Sequence, residues 1–167
     1  MPNPCIIQIV GYKNSGKTHL ICRLIKELRS YGYRIGTIKH DAHGFEIDHE
    51  GRDTWKHYQS GAEIVAITSS AKTALIRRNT VALHDLVKTM EGLDIILVEG
   101  FKTENYTKIV MLREEEDLEL LPKIKDILLV AAWIPYNKNE NMLIVDVSDT
   151  QKITKIVLEY YQTFRKN

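Results

Sequence analysis

The stretch GYKNSGKTHL, residues 11 to 20, gathers residue types that can hold a chain of phosphates. Gly11, Gly16, Lys17 and Thr18 satisfy the spacing G-x-x-x-x-G-K-[ST], the P-loop signature. The glycines free the backbone to turn so that successive N–H groups point inward at phosphate oxygens. Lys13, Asn14, Ser15 and His19 contribute to that wall of donors. A helix starting near Lys17 adds its positive end. Lys17 then reaches the outer phosphates and the Thr18 hydroxyl ligates Mg²⁺, so a magnesium-bound nucleoside triphosphate is the expected ligand.

Such a ligand needs a carboxylate near its metal. LDIILVEG, residues 93 to 100, is the most apolar segment and delivers Glu99 and Gly100 at its end. Ligands gather at the carboxyl ends of strands in parallel sheets. Glu99 is therefore expected to hold Mg²⁺ through a water or to orient an attacking water, and the Gly100 N–H to read a γ-phosphate. Asp94, about 17 Å away at the other end by strand rise, is excluded from that role.

KHDAHGFEIDHEGRD, residues 39 to 53, sets His40, His43 and His49 among five acids. The density invites a transition metal, but no defined zinc spacing is present and the segment has no cysteine. As the loop after the second strand it is expected to overhang the phosphates, with Asp48 ahead of Asp41 as a Mg²⁺ partner and with order that depends on nucleotide. Asn137, Lys138, Asn139 and Glu140 form NKNE, a variant of the guanine-reading N-K-x-D with a longer acid.

The elements that must position these residues alternate in type. Cys5 to Val10 reads as a buried strand, and Leu20, Ile21, Leu24, Ile25 and Leu28 recur at helical spacing before Gly32. A second strand runs from Tyr33 to His40, a short helix from Arg52 to Ser60, and a hairpin from EIVAIT and TALIRR. Residues 81 to 90 read as a helix with Thr80 as cap. LDIILVEG, KIVMLR and DILLVAA supply three more strands, and a Ser148/Asp149 cap precedes a final helix with Ile153, Ile156, Val157, Tyr160, Tyr161 and Phe164 on one face. The expected fold is α/β and P-loop NTPase-like: a mainly parallel twisted sheet, helices on both faces and an inserted β-hairpin. No linker or repeat divides the 167 residues, so a single nucleotide-binding domain over 1–167 is expected.

Composition narrows the function. A net charge of +1, with 27% charged residues and no block of like charge, gives no reason to expect nucleic acid or a membrane surface. The chain lacks a run of about 18 apolar residues and a leader pattern, so it is expected to be cytoplasmic. Cys5 and Cys22 are expected to be reduced core thiols.

Taken in order, GYKNSGKT, TIKHDAHGFEIDHEGRDT, QSGA and ILVEGFK resemble the molybdopterin-guanine dinucleotide biosynthesis protein B family, MobB, across residues 5 to about 113. The resemblance implies a small homodimeric GTP-binding protein with weak hydrolysis. Its implied task is to assist the MobA-like guanylyltransferase that attaches GMP to molybdopterin. By motif position it implies Gly11, Gly16, Lys17 and Thr18 as nucleotide residues, Asp48 on the Mg²⁺ side and Glu99 as the strand-end acid. Three positions depart from the family: Thr107 stands where Pro usually precedes K-I-E, Arg52 where Lys is usual, and Tyr12 where related dimeric GTPases carry a signature Lys. The rival readings are a nickel-insertion GTPase, which the histidines suit, and a small-substrate P-loop kinase, although no segment reads as its arginine-bearing lid.

Overall fold

The computed structural model describes residues 3–41, 44–135 and 142–166. They fall into two compact units: Met1–His40 with Val87–Asn167, and Asp41–Leu86.

The first unit holds a six-stranded sheet. Its strands are β1 (Cys5–Val10), β2 (Ile35–Lys39), β5 (Ile95–Glu99), β6 (Thr107–Leu112), β7 (Ile127–Ala132) and β8 (Ile144–Asp146), in the order β2-β5-β1-β6-β7-β8. Every pairing is parallel. Strands of a parallel sheet are covered on both faces and read as near-continuous apolar runs, which explains IILVE, KIVML and ILLVA.

Alternation along each strand sorts side chains between two cores. Cys5, Ile7, Ile9, Ile95, Leu97, Ile109, Met111, Leu129 and Ala131 join α1 (Lys17–Ser30) and α4 (Thr150–Lys166) in one cluster. Val10, Val110, Leu112, Val130 and Ala132 face the other way and meet Leu120 and Leu121 of a 3₁₀ helix, Glu115–Lys123. Asp117 anchors this helix, its carboxylate accepting the Arg113 and Glu114 N–H groups at 2.5 and 3.3 Å. The Asp149 carboxylate accepts the Lys152 N–H at 3.0 Å and starts α4.

Two polar side chains lie buried in this apolar sheet, paired across β1 and β6: Gln8 and Lys108. Gln8 donates to the carbonyls of Gly100 and Phe101 at 3.2 and 2.6 Å and accepts the Tyr106 N–H at 3.3 Å. The Lys108 ammonium donates to the carbonyls of Glu104 and Tyr106, both at 2.7 Å. Buried polar groups persist where they are satisfied. These two hold the β5–β6 connection, residues 100–106, against the sheet.

The second unit contains α2 (Asp53–Gln59) and an antiparallel hairpin of β3 (Ile64–Thr68) and β4 (Thr73–Arg77). Arg78 buttresses it, donating to the carbonyls of Ala62 and Tyr58 with its guanidinium 4.1 Å from the Tyr58 ring centre. α3 (Leu83–Lys88) spans the boundary between the units.

The expected α/β class, parallel sheet and inserted hairpin are all present. Three details differ. The 3₁₀ helix and β8 were not expected from the pattern; the first is acidic and contains Pro122, and the second has only three residues. Cys5 is buried, and burial pushes its thiol up to about 12. Cys22 is exposed rather than in the core. It lies between Ile21 and Leu24, which face the sheet, on the outward side of α1.

Candidate phosphate-binding site

The candidate site occupies the carboxyl ends of β1, β5, β6 and β7. After Val10 the chain turns through Gly11–Gly16 into α1, with Asn14 at φ +63° and Gly16 at φ +91°. Gly11 answers to a different constraint, a close approach. A β-carbon there would sit 2.6 Å from Ser15 Oγ and 2.9 Å from Met111 Cβ.

Gly16 is the N-cap of α1 and supplies no capping side chain. The first helical bond runs from the Leu20 N–H to the Gly16 carbonyl at 3.0 Å, so the helix does not pair the N–H groups of Lys17, Thr18 and His19 within itself. Uncapped N-terminal donors are what an anion requires. Ser15 Oγ is buried within the loop and has no hydrogen-bond partner among the described residues.

Lys17 folds back over this cradle, its ammonium 3.3 Å from the Gly11 carbonyl and 2.6 Å from that of Tyr12. Burial lowers its pKa from the ordinary 10.5, while Glu99 opposes the shift and Lys102 and Lys39 add to it. The Thr18 hydroxyl lies 3.0 and 2.9 Å from the two Glu99 carboxylate oxygens, and Lys39 Nζ lies 3.5 Å from the same carboxylate. Sequence-distant Thr18 and Glu99 thus converge on one point, as two oxygen ligands of a hard cation must. The residues present fit a magnesium-bound polyphosphate: Thr18 and Glu99 would hold the ion, and Lys17 with the loop N–H groups would hold the phosphates.

Gly100 does not offer its N–H as expected. That group donates to the Ile9 carbonyl at 3.1 Å, continuing the sheet ladder. Gly100 instead supplies a turn at φ +93°, with His40 Cβ 3.2 Å from where a β-carbon would stand. Lys13, Asn14 and His19 are exposed on or beside the loop. Asp48 belongs to the second unit, where its carboxylate accepts the His49 N–H at 2.9 Å. The Thr54 hydroxyl beside it is the main cause of a lowered pKa. Among the described residues no three His, Cys, Asp or Glu groups converge as a metal site. His43 and the NKNE residues 137–140 lie outside the described residues.

Four residues to which the sequence reading gave no contact with the loop or with Glu99 turn out to shape the site. Lys39 pairs with Glu99, and Gln8 pins the loop that follows Glu99. Arg113 Nη1 donates to the Asn14 carbonyl at 2.6 Å, and Trp133 Nε1 to the Ser15 carbonyl at 3.0 Å. Each of the last two directly follows a strand, β6 or β7, and that position is the one signal the sequence offered.

A phosphate loop between the central strand and first helix of a parallel sheet, with an acid ending the neighbouring strand, defines a P-loop NTPase-like protein. Residues 6–133 match the family described as molybdopterin guanine dinucleotide synthesis protein B, MobB. A Bacillus subtilis relative named probable molybdopterin-guanine dinucleotide biosynthesis adapter protein is 36% identical over 82% of this chain and 79% of its own. The Escherichia coli molybdopterin-guanine dinucleotide biosynthesis adapter protein is 31% identical over 94% of this chain and 93% of its own. The crystal structure of Bacillus subtilis MobB superimposes with a TM-score of 0.79 at 30% identity, covering 93% of this chain and 96% of that one. The chain belongs to the MobB family. Among its described residues no helix is long and apolar enough to cross a membrane.

Proposed function

We propose that this protein is a GTP-holding adapter of molybdopterin-guanine dinucleotide biosynthesis, acting in the cytoplasm beside a MobA-like guanylyltransferase. The adapter role follows the names of its relatives. The observation that carries the nucleotide reading is the meeting of Thr18 with Glu99 at the mouth of an uncapped helix that begins with Lys17. GTP rather than ATP is inferred from the product of the pathway, a guanine dinucleotide. Mg²⁺, when bound, neutralises phosphate charge; the chain's own part is to grip the phosphates and present the base end to a partner.

Hydrolysis is expected to be slow. Fast phosphoryl transfer relies on a cation at the developing charge. Arg113 is committed to the outside of the loop at Asn14, and Arg78 to the carbonyls of Tyr58 and Ala62.

We infer a homodimer from the hairpin. Ile64, Ile67 and Leu75 are 48, 54 and 53% exposed on β3 and β4, an uncovered apolar ribbon that pairing with a second copy would bury. Ile67→Glu is expected to yield a monomer by sedimentation.

The test is reconstitution. Purified guanylyltransferase, molybdopterin and limiting GTP are to be assayed for dinucleotide formation with and without this protein. Acceleration by wild type and none by Lys17→Ala is the expected result. Equal rates with and without the protein would refute the adapter role.

A further inference from the structure

The carboxyl ends of β6 and β7 send one side chain each to the outer rim of the phosphate loop. Arg113 takes the Asn14 carbonyl at 2.6 Å and Trp133 the Ser15 carbonyl at 3.0 Å, across 99 and 118 residues of sequence. In a planar trans peptide the carbonyl of one residue and the N–H of the next point in opposite directions. Drawing the Asn14 carbonyl outward therefore turns the Ser15 N–H inward, and drawing the Ser15 carbonyl outward does the same for Gly16. The Ser15 N–H itself closes a turn inside the loop, donating to the Tyr12 carbonyl at 3.4 Å.

Trp133 does more than donate. Its Cζ2 and Nε1 lie 3.1 and 3.2 Å from where a β-carbon on Gly16 would stand, so the indole packs on the Gly16 backbone. The ring remains 48% exposed. A large aromatic left half in solvent, with its N–H fixed on a loop carbonyl, is poorly explained by core packing.

We propose that Arg113 and Trp133 are positioning residues of the phosphate loop, holding its outer carbonyls so that its N–H groups are preset toward bound phosphates. The inference rests on the reading of that loop as a polyphosphate site. It adds two residues that lie outside the G-x-x-x-x-G-K-[ST] pattern and touch only the back of the loop.

The chain has two tryptophans, Trp55 and Trp133, so Trp55→Phe leaves Trp133 as the sole indole reporter. In that background the emission of Trp133 is to be followed while GTP with Mg²⁺, and separately inorganic tripolyphosphate with Mg²⁺, is added. Calorimetry then compares wild type, Trp133→Phe, which keeps a smaller aromatic ring and removes the Nε1 donor, and Arg113→Gln. Expected are a Trp133 emission change with both ligands and a loss of about tenfold in affinity for both ligands in each variant, the size of one hydrogen bond. Circular dichroism and melting should stay close to wild type; a variant that melts early is replaced by Arg113→Lys, which keeps a donor and should recover part of the affinity. Wild-type binding with variant affinities within about twofold overturns the positioning role alone. A loss confined to GTP also overturns it, because the side chains would then be reading the base. Absence of binding of either ligand to wild type removes the phosphate-site reading and this inference with it.

Discussion

Thr18 and Glu99, 81 residues apart in sequence, meet with the Thr18 hydroxyl 3.0 and 2.9 Å from the two carboxylate oxygens. Thr18 lies in the first turn of α1 and Glu99 closes β5, and β1 pairs with β5 in parallel, so the register itself brings them together. Glu99→Gln keeps the shape and removes the charge. It is expected to weaken Mg²⁺-dependent triphosphate binding about tenfold or more, with little change in melting. A Mg²⁺ titration at fixed GTP checks this, and unchanged Mg²⁺ dependence would exclude Glu99 as a metal-side residue.

Lys17 gives a pH signature. Burial has lowered its pKa in the free protein, whereas a bound polyphosphate would raise it. The complex then holds more protons than the free protein, so affinity falls as pH rises from the lowered value toward 10.5. In the free protein the sign is the reverse for folding: the native state sheds this proton before the unfolded chain does, and stability rises through the same window. Calorimetry in two buffers of different ionisation enthalpy should show proton uptake on binding that disappears in Lys17→Met.

Gly11 is set by space rather than by φ. Gly11→Ala would drive a methyl group into Ser15 Oγ and Met111 Cβ. A cost of about 1–3 kcal/mol is expected, the usual range for overpacking, together with weaker triphosphate binding. Differential scanning calorimetry and a nucleotide titration read both effects. A variant that melts and binds as wild type does would show that the loop yields freely there.

Gln8 tests the pinned connection after Glu99. Gln8→Leu strands the carbonyls of Gly100 and Phe101 and the N–H of Tyr106, and is expected to cost about 1–3 kcal/mol in urea unfolding. Amide exchange across residues 100–106 should rise more than elsewhere. Uniform protection would mean that Lys108 alone holds the segment.

Much of this architecture was legible because apolar runs, glycines and caps mark parallel strands and helices directly. Cys5–Val10 and the phosphate loop were visible residue by residue, since the motif is local. Boundaries were less so: the helix expected over 81–90 forms only Leu83–Lys88. What stayed hidden depends on tertiary contact. Gln8 interrupts the apolar run CIIQIV and Lys108 borders the run IVML, but nothing local named the carbonyls they serve. Arg113 and Trp133 likewise acquire meaning only when β6 is placed beside β1 and β7 beside β6. The Gly100 N–H looked available in sequence and is taken by Ile9 because the ladder runs one residue past Glu99.

The most direct test of the central claim is calorimetric titration of GTP and of ATP, each with Mg²⁺, into wild type and Lys17→Ala. Tighter binding of GTP than of ATP, abolished in the variant, is the predicted result. Tighter ATP binding, or binding indifferent to Lys17, would contradict it.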